Sequence, residues 1–146
     1  MAMSKTIELL EINTDGGSRG NPGQAAIGVI AVSGGQKVFS LSERIGETTN
    51  NVAEYTAVLR ALETIEEKEI YTEKIRFILD SELILKQITG AYKVKQPHLQ
   101  VLRKKIVDLI KKLRDSGQIK LMSFVNVLRE KNKEADKLVN DALDNQ

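Results

Sequence analysis

Apolar residues recur at about every second position in the first third of the chain, a spacing typical of β-strands. Three segments show this pattern or a continuous apolar run: residues 5–14, 25–32 and 37–45. The residues between the last two segments, Ser33-Gly34-Gly35-Gln36, have the composition of a tight hairpin turn. The pattern therefore predicts three strands joined by short turns in an antiparallel meander.

The apolar spacing then changes to that of amphipathic helices. Tyr55, Val58, Leu62 and Ile65 share one face of a predicted helix over residues 51–66. The remaining predicted elements are a strand at 75–79, a helix at 83–88, a helix over 99–113, a strand at 119–127 and a helix at 132–143. The order βββαβααβα predicts an α/β fold, with helices flanking a five-stranded mixed sheet of three antiparallel and two further strands.

Length and composition limit the class of protein. A chain of 146 residues predicts a single domain, 1–146, with an ordered core over about residues 5–144. The absence of Cys excludes a disulfide framework, a thiolate metal site and a cysteine nucleophile. Apolar runs fall short of the roughly 20 residues needed to span a membrane. Since no secretory signal is seen either, we expect a cytoplasmic monomer that does not bind membranes.

Charge is unevenly distributed along the chain. Residues 91–114 contain eight Lys and Arg residues and one Asp, a net charge of +7, whereas the whole chain carries only +2. Such a segment is a weak indication of a polyanionic partner, since charge alone favours a solvated helix face.

Four carboxylates stand where the local pattern does not favour them. Asp15 and Asp80 each follow a predicted strand, and they could also serve as a turn residue and a helix N-cap. Glu54 and Asp136 lie toward the apolar faces of their helices, where a bare carboxylate is costly to bury. Glu54 could instead be a rim residue that reaches water.

These four carboxylates converge if the strands before Asp15 and Asp80 are neighbours. Their charges would repel one another unless hard cations neutralised them, and oxygen ligands favour Mg²⁺ or Mn²⁺. Two such ions suit in-line displacement at phosphorus. The glycine-rich residues 16–23 lack the P-loop pattern, which argues against a P-loop nucleotide hydrolase.

The motifs together resemble those of type 1 ribonuclease H, over residues 7–143. They are Thr14-Asp15-Gly16-Gly17, Gly20-Asn21-Pro22-Gly23, Thr48-Thr49-Asn50-Asn51-Val52-Ala53-Glu54, Asp80-Ser81, and Asn132 with Asp136. The resemblance implies a ribonuclease H-like fold and an endoribonuclease that hydrolyses the RNA strand of RNA/DNA hybrids. It also implies two-metal-ion catalysis, with Asp15, Glu54, Asp80 and Asp136 as metal-binding carboxylates. The products would carry 5′-phosphate and 3′-hydroxyl ends.

The resemblance also assigns residues that contact the substrate. Gly16 and Gly17 match backbone positions near ribose 2′-hydroxyls, which distinguish RNA from DNA. Asn21 and Asn51 match minor-groove contacts, and Thr49 matches a phosphate contact on the DNA strand. The further residues assigned to substrate binding are Asn50, Ser81 and Asn132.

Three departures from the family pattern affect function. The loop over residues 126–131 lacks the histidine that many members carry, so Glu130 is a candidate substitute; His98 is predicted to be a surface or cap residue. Residues 90–97 form a short connection in place of the basic, Trp-bearing protrusion, so we expect a weaker grip on the DNA strand, partly compensated by Lys93 and Lys95. Glu82 replaces a Gln that often touches the minor groove.

Two alternative functions remain open from the sequence. The chain could be a nuclease of the same fold that acts on double-stranded or structured RNA. It could also be a catalytically weak module that only binds nucleic acid.

Overall fold

The computed structural model describes residues 5–145, which form a five-stranded sheet and four α-helices. The elements in chain order are β1 (Ile7–Gly20), β2 (Gly23–Ser33), β3 (Gln36–Thr48), α1 (Asn50–Glu67), β4 (Thr72–Leu79), α2 (Glu82–Thr89), α3 (Pro97–Asp115), β5 (Ile119–Asn126) and α4 (Lys133–Asp144). A short 3-10 helix, Arg129–Lys131, connects β5 to α4.

The strands are ordered β3-β2-β1-β4-β5 across the sheet. β1, β2 and β3 pair antiparallel, whereas β4 is parallel to both β1 and β5. The β2–β3 turn is formed by Gly34 and Gly35, whose φ angles of 57° and 79° are in the left-handed region that glycine tolerates. The predicted mixed sheet and the order βββαβααβα are confirmed, including the hairpin at residues 33–36.

Helices cover both faces of the sheet. On one face α1 packs against β1 and β2, and α2 and α3 extend this layer toward β5. The main core lies between them, because alternate residues of β1 and β4, such as Leu10, Ile12 and Phe77, are fully buried there. On the other face α4 packs against β1, β2 and β3. Within residues 5–145, no helix has the length and apolarity to span a bilayer.

Two glycines set the distance between the helices and the sheet. A Cβ atom at Gly16 would collide with the α1 backbone at Ala53, and one at Gly28 would collide with the α4 backbone at Ala135. The absence of a side chain at these positions therefore allows both helices to approach the strands closely.

We expect Gly28→Ala to reduce the free energy of unfolding by about 1–3 kcal/mol, because the added methyl group must push α4 away from β2. Urea denaturation checks this. The matched control is Gly17→Ala, a β1 position without a positive φ angle, where a Cβ would meet its nearest neighbour, Val139, at an ordinary contact distance of 3.6 Å. The steric explanation fails if Gly28→Ala is no more destabilising than this control.

One strand boundary differs from the sequence prediction. Asp15 was expected to end the first strand, but β1 continues to Gly20 through antiparallel pairs such as Asp15 with Gly28. The glycine-rich segment is therefore extended strand for most of its length. The pairing partners in β2 stabilise it although its composition is typical of a turn.

Candidate active site

The site lies where two adjacent parallel strands separate. β1 pairs with β4 as far as Asn13 and Ile78, and β4 ends one residue later at Leu79. Beyond that point β1 pairs only with β2. Asp15 and Asp80 therefore follow the last paired residues of neighbouring strands, at the sheet edge where α/β proteins commonly bind ligands.

Three carboxylates meet at this edge. Asp15, Glu54 and Asp80 each present a carboxylate oxygen, and these oxygens lie within 4.8 Å of one another. Glu54 reaches the group from the N-terminal part of α1. Asp136, in the first turn of α4, lines the same cleft of about 540 Å³. The structure thus brings the four predicted carboxylates to one cleft.

Burial and mutual repulsion oppose ionisation of the cluster. The pKa of Asp15 rises from 3.8 to about 8, first because the group is buried and then because Asp80, Glu54 and Asp136 are nearby. The pKa of Glu54 rises from 4.5 to about 7, mainly through burial and then through the charge of Asp80. A hydrogen bond from Ser81 and the positive charge of Arg129 partly offset this rise.

The cluster has the properties required of a divalent cation site. Its donors are oxygens only, and they are close enough to share an ion. A bound cation would offset both the burial and the neighbouring negative charges that raise the pKa values of Asp15 and Glu54. Asp15 is 9% exposed, so water alone cannot supply full solvation of its charge.

Asp80 does not cap the helix that follows it. The N-cap of α2 is Ser81, whose hydroxyl oxygen accepts a hydrogen bond from the Ile84 amide at 3.2 Å. The Asp80 carboxylate is therefore available to the cleft, and the alternative prediction of an N-cap at Asp80 is wrong.

Asn132 joins three of the four elements that carry the carboxylates: β1, the end of β4 and α4. Its side-chain amide donates to the Thr14 carbonyl at 2.9 Å and to Asp80 Oδ2 at 3.4 Å, and its oxygen accepts from Asn13 at 2.9 Å. The residue is 1% exposed. This side chain is therefore buried and holds the β1, β4 and α4 ends together, and its contact with a substrate stays a prediction.

At the rim of the cleft, hydrogen bonds link the end of β1 and the β1–β2 turn to the start of α1. Asn50 Oδ1 accepts from the backbone amide and hydroxyl of Ser18, and the Asn50 backbone amide donates to Asn21 Oδ1 at 3.1 Å. Thr49 caps α1 by accepting from the Val52 amide at 3.2 Å. These bonds fix the start of α1, and with it Glu54, relative to β1.

Comparison with known proteins identifies the family. Residues 13–142 match the family model described as "Reverse transcriptase-like". The chain is 40% identical over 131 residues to the ribonuclease HI of Halobacterium salinarum, covering 89% of this chain and 62% of that protein. It is 36% identical to a bifunctional protein of Mycobacterium tuberculosis, covering 91% of this chain and 35% of that one. The chain thus spans less than two thirds of these relatives.

Solved structures agree with the sequence matches. The crystal structure of the Halobacterium salinarum RNase H1 superposes with a TM-score of 0.84 at 37% identity, covering 94% of this chain and 99% of that one. This chain belongs to the ribonuclease H family, type 1. LC11-RNase H1, isolated from compost, was solved in complex with an RNA/DNA hybrid; it superposes with a TM-score of 0.84 at 43% identity, covering 92% and 96% of the two chains.

The ribonuclease H resemblance predicted from the motifs is therefore confirmed. Of the residues assigned to substrate contact, Gly16, Gly17, Asn50 and Ser81 line the cleft with the carboxylates. Asn21 lies beside them through its bond with Asn50. Thr49 and Asn51 lie at the start of α1, half-buried, next to this rim.

The loop before α4 presents a residue that the sequence analysis missed. Glu130 does not line the carboxylate cleft; it lines a neighbouring pocket with Asn13 and Lys133. Arg129 lines the carboxylate cleft instead. The hypothesis that Glu130 replaces the loop histidine of other ribonucleases H is thus contradicted by its position, and His98 is exposed in the first turn of α3.

The short connection between α2 and α3 forms a basic groove, which we call the α2–α3 groove. It has a volume of about 710 Å³ and is lined by basic side chains, by Tyr92 and by one acid, Asp108. The basic residues are Lys93, Lys95, Arg103 and Lys104. Asp108 pairs with Lys104 at 2.7 Å, so the other cations of the groove face no acid that lines it.

Proposed function

We propose that this chain is a metal-dependent endoribonuclease that hydrolyses the RNA strand of RNA/DNA hybrids. The observation that carries the proposal is the carboxylate cluster at the separation of β1 and β4, within a ribonuclease H fold. The products would be 5′-phosphate and 3′-hydroxyl ends. Family membership supports this assignment, and the LC11 enzyme bound to an RNA/DNA hybrid supports the substrate class.

Asp15, Glu54, Asp80 and Asp136 would hold two Mg²⁺ ions, with Mn²⁺ as a substitute. When bound, such ions supply Lewis-acid stabilisation at phosphorus and a water molecule of lowered pKa. The protein's contribution is to hold the carboxylates on rigid elements. The Asn132 side-chain amide contacts Asp80 Oδ2 at 3.4 Å and so helps to orient it, and Ser81, beside Glu54, lowers the pKa of that carboxyl.

The surroundings of the cleft suit an RNA strand. Gly16 and Gly17 are half-buried residues that line the cleft, so their backbone groups are within reach of a ribose 2′-hydroxyl of a bound RNA strand. Asn50 and Asn21 offer polar groups beside it. We assign the α2–α3 groove to the phosphates of the DNA strand, because its net positive charge suits a phosphate backbone.

A panel of labelled duplexes tests the proposed function. We expect cleavage of RNA/DNA hybrid in Mg²⁺ or Mn²⁺ and none in EDTA. Comparable cleavage of double-stranded RNA would favour the broader nuclease, and hybrid binding without cleavage would favour a binding module. Cleavage that persists in EDTA would overturn the metal-dependent proposal.

Hybrid binding should depend on salt and on the α2–α3 groove. We expect Lys93→Ala/Lys95→Ala to weaken hybrid binding by about 3–10-fold in 100 mM salt, since fewer counterions are released when fewer phosphates are contacted. The plot of log K against log salt should become less steep by about 1–2. Fluorescence anisotropy in Ca²⁺ measures both quantities.

The matched control for this double variant is Lys37→Ala/Lys68→Ala. Both lysines are exposed, at the β2–β3 turn and the C-terminal end of α1, away from the cleft. An equal loss of affinity in the two double variants would mean that only net charge matters and that the groove has no specific part.

A further inference from the structure

The two edges of the sheet differ in how they are protected. β3, at one edge, carries four charged residues, and its pairing with β2 has two register shifts. Within residues 5–145, β5 at the other edge pairs with β4 alone and without a register shift. Its one charged residue, Lys120, is engaged with Glu73 at 3.2 Å. Charges and bulges are the usual means by which proteins keep a further strand from pairing with a sheet edge, so the outer edge of β5 is open to one.

A groove lies beside this edge, between α2, α3 and β5; we call it the α3–β5 groove. It has a volume of about 440 Å³. Its apolar lining is formed by Ile88, Val107, Ile110, Met122 and Phe124. The Phe124 ring stacks on that of Phe77, with centroids 5.3 Å apart, which anchors this side of the groove in the core. A strand added to β5 would place side chains next to Met122 and Phe124, and therefore in this groove.

The two ends of the groove are positively charged. Arg103 and Arg114 line it from positions on α3 that are about 16 Å apart along the helix axis, at 1.5 Å per residue. In the part of the chain that the structure describes, neither arginine makes an ion pair within 4 Å. Asp115, the acid that lines the groove, pairs with Lys111 at 2.7 Å. The groove therefore presents an apolar centre between two cations.

This arrangement favours an acidic polypeptide over the other possible occupants. A nucleic acid strand has no backbone amides to pair with β5, and it carries a charge at every nucleotide, which does not match an apolar centre. In a two-fold dimer joined through the β5 edges, the two α3 helices would lie next to each other on the same face of the sheet. α3 contains six Lys and Arg residues and two Asp, a net charge of +4, so the dimer would bring like charges together.

We propose that an acidic segment of a partner protein binds here as a sixth strand, paired with the outer edge of β5. Every second side chain of that segment would face the α3–β5 groove. Acids at its first and seventh positions, about 20 Å apart, would reach Arg103 and Arg114, and apolar side chains at its third and fifth positions would cover the residues between them. No residue lines both this groove and the carboxylate cleft, so the inference does not depend on the proposed function.

The test uses the full chain and the capped, fluorescein-labelled peptide Glu-Thr-Leu-Thr-Leu-Thr-Glu, which has the inferred spacing of acids and apolar residues. We expect fluorescence anisotropy to give a Kd of about 10–100 µM at low salt. The peptide Lys-Thr-Leu-Thr-Leu-Thr-Lys should bind at least about 10-fold more weakly, because it places cations next to the two arginines. Equal binding of the two peptides, or no binding of the acidic peptide at about 1 mM, would overturn the proposal.

Arg114→Glu tests the contribution of the groove, and Lys105→Glu is its matched control. Both substitutions make the same change of charge on α3, but Lys105 is exposed and lines neither this groove nor the α2–α3 groove. We expect Arg114→Glu to weaken binding of the acidic peptide by about 5–10-fold and Lys105→Glu by less than about 2-fold, with both variants folded by thermal unfolding. An equal loss in the two variants would replace the proposal with a general attraction to a basic helix.

Amide hydrogen exchange distinguishes strand pairing from other modes of binding. Saturating acidic peptide should slow exchange by at least about 5-fold at those β5 amides that point away from β4, and leave the β3 amides unchanged. Binding without this protection would rule out a sixth strand. A dimer of the chain alone in sedimentation, with β5 already protected, would assign the edge to a second copy. Displacement of the peptide by an equal concentration of a short DNA strand would assign the groove to nucleic acid, and either result overturns the proposal.

Discussion

Replacing Asp80 with asparagine is expected to reduce cleavage of an RNA/DNA hybrid by at least about 10³-fold while leaving the protein folded. The carboxylate contributes an oxygen to the group that lies within 4.8 Å in the cleft. An amide oxygen carries no negative charge, so cation binding between Asp15, Glu54 and residue 80 would be weakened. A loss of this size corresponds to about 4 kcal/mol of transition-state stabilisation.

The fold should tolerate this substitution because the Asp80 side chain contributes little to the stability of the fold. Ser81 caps α2, and within residues 5–145 the Asp80 carboxylate accepts a single side-chain hydrogen bond, the 3.4 Å contact from the Asn132 side-chain amide. An asparagine oxygen can accept the same contact. Removing the charge also relieves repulsion, since Asp80 raises the pKa values of both Asp15 and Glu54.

Single-turnover cleavage and thermal unfolding measured on the same preparation check this prediction. Asp141→Asn is the matched control: it neutralises an acid of α4 that pairs with Lys137 at 3.0 Å outside the carboxylate cleft. We expect its rate to stay within about 2-fold of the wild type. Cleavage by Asp80→Asn at the wild-type rate would show that this carboxylate is not part of the active site.

The strands and helices could be predicted from the sequence because local pattern and tertiary packing agree in most of them. The Gly34-Gly35 turn and the apolar stripe of α3, with Leu99, Ile106 and Leu113 buried, are examples. The exception is the segment after Asp15. Its glycines are typical of a turn, yet pairing with β2 across the sheet makes it extended strand, and no local signal carries that information.

The carboxylates of the site were predictable for a different reason. Carboxylates beside apolar helix faces and after strands are unfavourable unless they bind a common ligand such as a metal ion. The order of the motifs along the chain then indicated the family and its four metal-binding positions. The position of Arg129 was not predictable, because neighbouring residues of one 3-10 turn point into different pockets. Which of Arg129 and Glu130 reaches the cleft depends on how Val127 and Asn126 are tied to the end of β4.

The stability of the metal-free protein should fall as the pH rises from 5.5 to 8.5, and Asp15→Asn should remove most of this dependence. The pKa of Asp15 is about 8 in the folded state and near 3.8 when the chain is unfolded. Between these values the folded state holds a proton that the unfolded state has released. Stability from this group is therefore complete below about pH 4 and decreases as the pH rises toward 8.

The Glu54 carboxyl also makes the stability fall as the pH rises, because its pKa is about 7 in the folded state and near 4.5 when the chain is unfolded. We expect Asp15→Asn to be more stable than the wild type by about 2–4 kcal/mol at pH 8.5 in EDTA, which raises Tm by roughly 6–12 °C. At pH 5.5 the difference should shrink, since both proteins are then largely neutral at residue 15. Asp15→Asn should also lose cleavage activity, so that stability and activity change in opposite directions.

Thermal unfolding followed by circular dichroism at pH 5.5, 7.0 and 8.5 provides the measurement. Asp141→Asn, which removes a charge on α4 outside the cluster, is the control. Adding 10 mM Mg²⁺ should raise the Tm of the wild type at pH 8.5 more than that of Asp15→Asn, because ligand binding stabilises only the state that binds it. A gain in Asp15→Asn that is equal at pH 5.5 and 8.5 would contradict the assignment. Such a result would mean that packing around residue 15, and not the buried charge, limits the stability of the site.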